Sequence, residues 1–258
     1  MNTFYVPRDS LLHRLNPLTK LVGALALLVV AFLSPWVLLP AALLIAVLLP
    51  LSVAGRVATP FLRAFLRIFG VVGLLLIILQ TLFYPYGETI LFQIWFLEAT
   101  LEGLRRGFLL ATRLGVLVGA FTLMLLSTHP SMLMRDLARR GLPNGIVYII
   151  ASAFQIAPQI EARASKIVDA QRARGLETEG SLRRRIGALL PLVGPLVFSS
   201  LADVEERTIA IEARAFSAPT PKSTLVAVPD TSAERALRWI LLLLIVAAIV
   251  ARLWLSFG

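Results

Sequence analysis

The chain has 258 residues, of which 58% are hydrophobic and 16% charged, with 25 Lys and Arg against 15 Asp and Glu, a formal net charge of +10 and no Cys. A soluble domain of this length needs far more polar surface than that charged fraction supplies, so the apolar excess must face lipid. The absence of Cys excludes a disulfide framework, thiolate metal sites and Cys nucleophiles.

A helix crossing about 30 Å of hydrocarbon needs about 20 mostly apolar residues. Five segments meet this: 18–34, 36–54, 68–84, 104–127 and 237–256. Arg8, Arg14 and Lys20 precede or open the first, and no small-residue cleavage site follows it. It reads as an uncleaved anchor with a cytoplasmic N-terminus. Ser34-Pro35 makes a tight turn into the second span. Arg56, Arg63 and Arg67 then place the next connection inside, whereas 85–103, with Glu88, Glu98, Glu102 and no Lys or Arg, lies outside. The fourth span returns to the cytoplasm, where 128–236 carries Arg135, Arg139, Arg140, Arg163, Lys166, Arg172, Arg174, Arg183, Arg184 and Arg185. The last span leaves a short external tail.

The expected fold is therefore all-α: a polytopic helical membrane protein of about five transmembrane helices, with a cytoplasmic helical module between the fourth and fifth. Its parts are a transmembrane domain over 1–127, a cytoplasmic module over 128–218, and a linker with the final helix over 219–258. The stretch from Ser217 to Ser232, with Pro219, Pro221 and Pro229, reads as that linker. Two further apolar stretches, 142–160 and 186–201, tempt a hydropathy window. Asn144, Ser152, Gln155, Pro158 and Gln159 interrupt the first, and Pro191, Gly194 and Pro195 the second. Basic residues flank both, so they read as apolar amphipathic helices packed on other helices or another subunit, not as spans.

Catalytic constellations are mostly missing. His13 and His129 are the only histidines and are far apart in sequence, so a clustered His metal site is not built. No Gly-x4-Gly-Lys-[Ser/Thr] loop and no Gly-x-Gly-x-x-Gly after a strand is present, so nucleotide chemistry belongs to a partner. Neither a cofactor nor a nucleic-acid partner is expected. Asp203, Glu205, Glu206 and Glu212 cluster near Arg207 and Arg214, which reads most plainly as i,i+3 and i,i+4 pairing on a solvated face. Arg113 lies within the fourth span, where a central charge costs at least about 2.5 kcal/mol. It reads as a structural contact to another helix, with a substrate role as the alternative.

The most informative features are two tripeptides, Ala173-Arg174-Gly175 and Ala213-Arg214-Ala215, at the C-terminal ends of two expected helices. Small neighbours let a helix end enter a groove on another protein, where a guanidinium pairs with carboxylates or caps carbonyls. Ordinary helix termination also suits each tripeptide alone, because Arg complements the helix dipole and Gly175 is a good C′ residue. Their duplication in one context favours a shared docking role.

With these motifs the chain resembles the transmembrane T component of energy-coupling factor transporters, bacterial and archaeal importers of vitamins and transition-metal ions. The resemblance covers nearly the whole chain. Its parts are the N-terminal Leu12-His13-Arg14-Leu15-Asn16-Pro17-Leu18-Thr19-Lys20, the Arg-containing fourth span ending at Ser127-Thr128-His129-Pro130, the Gly141-Leu142-Pro143 turn, and the motifs within Gln171–Gly175 and Glu212–Phe216. It implies a non-enzymatic membrane scaffold whose cytoplasmic module consists of coupling helices, the last two long and crossed. Each presents its motif arginine, Arg174 or Arg214, to one of two ABC-type ATPase subunits, a homodimer or heterodimer. A separate membrane S component would hold the substrate. The second motif departs from the family in ending with Ala215 where Gly is common, and Ala tolerates a left-handed helix end less well. A stand-alone permease is the alternative, but it calls for polar groups converging at the midplane, and the spans offer little besides Arg113 and Gln80.

Overall fold

A computed structural model describes residues 6–85, 89–94, 97–175, 182–218 and 229–257. Glu88 and residues 219–228 of the expected linker lie outside these. The chain forms an all-α polytopic membrane protein in two compact units, one comprising Asn2–Gly141 with Val228–Gly258 and the other centred on Leu142–Ala227.

The first unit runs α1 (Leu11–Arg14), α2 (Pro17–Leu33), α3 (Leu39–Leu43) and α4 (Leu49–Ala54), then α5 (Ala58–Phe65) and α6 (Val71–Phe83). Single wide π-helical turns at Leu44–Leu48 and Leu66–Gly70 join α3 to α4 and α5 to α6. A short antiparallel hairpin follows, β1 (Ile90–Ile94) and β2 (Leu97–Thr100), with a bulge between Ile90 and Phe92. Then come α7 (Leu101–Ser127), α8 (Pro130–Arg139) and, after the second unit, α11 (Ser232–Phe257). The hairpin occupies the connection expected to be an acidic loop, and Glu102 fixes its base by accepting the Thr89 hydroxyl at 2.8 Å.

Among the described residues, four helices are long and apolar enough to cross a membrane: Ala58–Phe83, Leu101–Ser127, Asn144–Ala173 and Ser232–Trp254, with Pro17–Leu33 and Leu39–Ala54 as shorter apolar helices. The helix expected over 68–84 in fact begins at Ala58, so Arg63 and Arg67 stand within it and not in a preceding loop. The misleading signal was the run of arginines, and Pro60 fits the helix because it lies in the first turn, where its missing N–H breaks no hydrogen bond. Large apolar side chains such as Val71, Leu74, Leu243 and Trp254 point outward, as a surface in lipid requires.

At the centre of this unit lies α7. Gly103, Gly107, Ala111, Gly115 and Gly119 recur every fourth residue, so they form one stripe along the helix, and all five are buried. Lipid supplies no hydrophobic force between helices, so close backbone approach over small residues is the main attraction left. A Cβ on Gly107 would lie 3.0 Å from the Ile77 Cα, and one on Gly119 would lie 3.0 Å from Leu48 Cδ1. Around the stripe, Leu12, Ala24, Leu48, Val57, Phe61, Ala120, Leu123 and Leu126 make the core.

Arg113 solves a local problem in this bundle. Because Pro35 has no N–H, the carbonyl of Ala31 cannot receive its usual i+4 hydrogen bond at the end of α2. The Arg113 Nε donates to Ala31 O at 3.1 Å, and its Nη2 donates to Ser34 O at 2.7 Å. At the other end, Lys20 Nζ donates to Ser127 O at 2.8 Å, the last turn of α7. The two helices therefore run antiparallel and each caps the other with a cation, which suits the negative C-terminal ends of both dipoles. The contact to another helix is the role the structure gives Arg113. Arg113→Met is expected to leave two carbonyls unsatisfied and cost about 2–4 kcal/mol, read as a lowered midpoint in detergent unfolding followed by circular dichroism, with Arg113→Lys intermediate.

The second unit pairs α9 (Asn144–Ala173) with α10 (Leu182–Glu212). The apolar stretches 142–160 and 186–201 are largely the N-terminal parts of these longer helices, and neither Pro158 nor Pro195 ends its helix. Contacts join Tyr148 to Phe216, Gln159 to Arg207, and Arg163 to both Ser199 and Asp203. As one number rises the other falls, so the pair is antiparallel.

Candidate coupling site

Both arginine motifs lie in the second unit and end a helix in the same way. Arg174 is the C-cap of α9, and Gly175 after it is left-handed at φ +88°. The Gly175 N–H donates to Arg172 O at 2.9 Å. At the end of α10, Ala215 is left-handed at φ +57°. Its N–H donates to Glu212 O at 2.8 Å, and that of Phe216 donates to Ile211 O at 3.1 Å. These are the 5→2 and 6→1 bonds of a Schellman cap, the 5→2 bond matching that of Gly175, and Arg214 directly precedes the left-handed residue as Arg174 does at the end of α9. The two tripeptides thus share one local device: an arginine between small residues, followed directly by a left-handed residue.

All six residues Ala173, Arg174, Gly175, Ala213, Arg214 and Ala215 are exposed. Among the described residues neither motif guanidinium has a hydrogen-bond or ion-pair partner. The end of α10 is held from behind, where Phe216 packs on Tyr148 at 5.2 Å between ring centroids and the Ser217 hydroxyl donates to Glu212 at 2.6 Å. Since Tyr148 lies level with Phe216, Arg174 is 26 residues along α9 from that level. At 1.5 Å per residue this sets the two motif ends about 39 Å apart along the helix axis. One ligand does not bridge that span, so the motifs are two separate contact points.

A left-handed backbone costs a residue with a Cβ about 1–2 kcal/mol, which Gly175 avoids and Ala215 does not. Ala215→Gly is expected to raise stability, the net gain staying below about 1 kcal/mol because Gly also loses more chain entropy. Thermal unfolding of the purified chain measures it.

In the acidic cluster of α10, Asp203 pairs across to α9 and Glu212 locally with Ser217. Asp203 binds Arg163 at 2.6 Å, and Arg207 donates to Gln159 at 2.7 Å, so the expected intrahelical pairing is replaced by bonds to α9. Glu205 and Glu206 do face outward.

The N-terminal motif lies in the other unit and builds a buried interlock. Asn16 caps α2 by accepting the Leu18 N–H at 2.9 Å, its own N–H donates to Glu234 at 2.7 Å, and its Nδ2 donates to Pro229 O at 3.1 Å. Thr19 accepts from Arg238 at 2.9 Å, and Arg238 also holds both oxygens of Asp230 at 2.8 and 3.0 Å. Arg140 joins Asp230 to Asp136 of α8. Burial pushes the Asp230 carboxyl up, yet its hydrogen bond to Arg238 and the charges of Arg238 and Arg140 outweigh this and hold it below the usual value. Glu234, Arg238 and Asp230 escaped the sequence reading, although Thr231-x-x-Glu234 has the form of a capping box and makes one. His129 caps α8 through its Nδ1, and Gly141 turns at φ +104°.

Known proteins share this arrangement of sequence. The energy-coupling factor transporter transmembrane protein of Listeria innocua is 31% identical over 82% of this chain and 83% of its own length. Its counterpart in Bacillus selenitireducens is 32% identical over 83% of this chain and 82% of its own, and that of Bacillus subtilis is 31% identical over 82% and 83%. Residues 8–225 match the family model described as cobalt transport protein. The chain belongs to this family. As a T component of the energy-coupling factor transporters it is a transmembrane transporter subunit, and the matched region takes in both arginine motifs and the N-terminal motif.

Proposed function

We propose that this T component couples partner ATPases to substrate uptake through its two capped helix ends. The observation that carries the reading is the repeated cap. Arg174 and Arg214 each directly precede a left-handed residue, are exposed without partners among the described residues, and lie about 39 Å apart along the helix pair. Two equivalent, widely separated contacts suit two ABC-type ATPase subunits, as a homodimer or heterodimer. Ala173, Gly175, Ala213 and Ala215 leave room for each helix end to enter a groove, where a guanidinium makes bidentate bonds with carboxylates or carbonyls.

ATP hydrolysis then belongs to those subunits and not to this chain. Closure of the ATPase pair would move both helix ends, and α9 and α10 would pass that movement to a membrane S component carrying a vitamin or transition-metal ion inward. In this reading α9 and α10 lie outside the hydrocarbon core, the N-terminus is cytoplasmic, and the chain resides in a bacterial or archaeal cell membrane. The pairing of Arg163 with Asp203 and Arg207 with Gln159 supports a load-bearing helix pair, since bonds across it resist sliding.

Co-purification of the tagged chain from its native membranes tests the assignment. Recovery of two nucleotide-binding subunits, or two copies of one, with a small substrate-binding membrane protein is the expected result and would name the substrate class. Recovery of the chain alone, transporting a small molecule unaided, would overturn it.

A further inference from the structure

We infer that the membrane-spanning unit holds one anionic phospholipid, with an acyl chain in a cavity between α2, α4, α7 and α11 and its phosphate on Lys20. The cavity has a volume of about 230 Å³. Its walls include Gly23, Leu27, Leu48, Leu123 and Leu241, and its polar groups, Thr19, Lys20 and Ser127, gather at one end. From Lys20 to Leu27 it extends about 10 Å along α2. An apolar cavity of about 150 Å³ stays dry and takes up benzene. This one is larger and elongated, and at about 30 Å³ per water-sized group it admits a chain segment of roughly eight carbons.

The polar end selects the head. The Thr19 hydroxyl accepts from Arg238, and that of Ser127 donates to Met124 O. Lys20 donates to Ser127 O at 2.8 Å and more loosely to His13 O at 3.5 Å, so of three N–H groups one is left over. Among the described residues no carboxylate lies within ion-pair distance of it. The Glu234 charge reaches it, but both oxygens of that carboxylate are engaged by Asn16 and Thr231, so the half-buried ammonium has no anion in direct contact, and a cation at the edge of hydrocarbon calls for one. Exposed Arg14 adjoins the lining residue Leu15, and exposed Arg56 follows Gly55, which packs beside Leu12 of the same wall. Both arginines therefore leave the backbone close to the lining, while Lys20 is the cation that lines the cavity itself. Lys20 is in the first turn of α2, at one end of an apolar helix.

The test uses the purified full chain, stripped of lipid in detergent, titrated with phosphatidylglycerol or phosphatidylcholine and weighed by native mass spectrometry. One phosphatidylglycerol is expected to bind about ten-fold more tightly than phosphatidylcholine. Lys20→Gln, which still donates to Ser127 O, should abolish that preference, and Gly23→Leu, which fills the chamber, should abolish retention of both lipids. Equal retention of both lipids by the wild type, or retention by Gly23→Leu, would overturn the site. Should a variant misfold, wild-type protein with a phosphatidylglycerol bearing a mid-chain diazirine decides the matter. Labelling within 18–27, 120–127 or 237–241 that excess phosphatidylglycerol suppresses supports the site. Labelling confined to outward residues such as Val71 and Leu243, or suppression by oleate as strong as by phosphatidylglycerol, refutes it.

Discussion

Replacing Arg174 and Arg214 together with Ala is expected to abolish ATP-driven uptake while leaving the chain folded and in the membrane. Removing one partner of a buried, hydrogen-bonded charge pair costs about 2 kcal/mol or more, and each such loss is about 30-fold in affinity. Losing both contacts should reduce ATPase attachment by about three orders of magnitude if they act independently. The side chains are exposed and have no partners among the described residues, so the helix pair itself loses nothing comparable. Pull-down of the ATPase subunits with the double variant, alongside each single variant, measures the effect. Transport and hydrolysis should also separate: single variants that still assemble are expected to hydrolyse ATP with reduced uptake. Normal assembly together with normal transport in the double variant would remove the coupling role from these residues.

What was legible in the sequence follows from how local each feature is. The all-α character and the paired tripeptides depend on residues close together in the chain, and both emerged from composition and spacing, whereas two of the expected spans, 18–34 and 36–54, are shorter apolar helices and Asn144–Ala173, read as not spanning, is long enough to cross. The helix over Ala58–Phe83 was cut short because Arg63 and Arg67 were placed in a cytoplasmic connection, whereas both stand within the helix. The Gly/Ala stripe of α7 was visible as a four-residue repeat, and only a search for small-residue spacing would have drawn it out. Bonds between distant residues left no local trace. Nothing around Arg113 announces that Pro35 leaves a carbonyl for it, and nothing around Asp203 points to Arg163 on another helix. The identity of the two caps also required the backbone, because Gly175 and Ala215 differ in type yet share a left-handed conformation.

Glu234→Ala should destabilise the membrane-spanning unit by about 3 kcal/mol, and should do so without loosening the ATPases. One carboxylate oxygen accepts the Asn16 N–H at 2.7 Å, and the other accepts both the Thr231 N–H at 3.0 Å and its hydroxyl at 3.1 Å. Asn16 is wholly buried and Glu234 is 7% exposed, so water does not replace what is lost. An unsatisfied buried donor costs about 1–3 kcal/mol, and loss of the capping box at the start of α11 adds about 1 kcal/mol. Glu234→Gln keeps one acceptor oxygen and should lose about half as much. Unfolding in mixed micelles, followed by helical circular dichroism, gives the difference directly. The interlock belongs to the unit that contains α2 and α11, whereas both arginine motifs belong to the other. A Glu234→Ala protein that is less stable yet still captures ATPase subunits would therefore separate the strength of the membrane scaffold from the docking chemistry of Arg174 and Arg214.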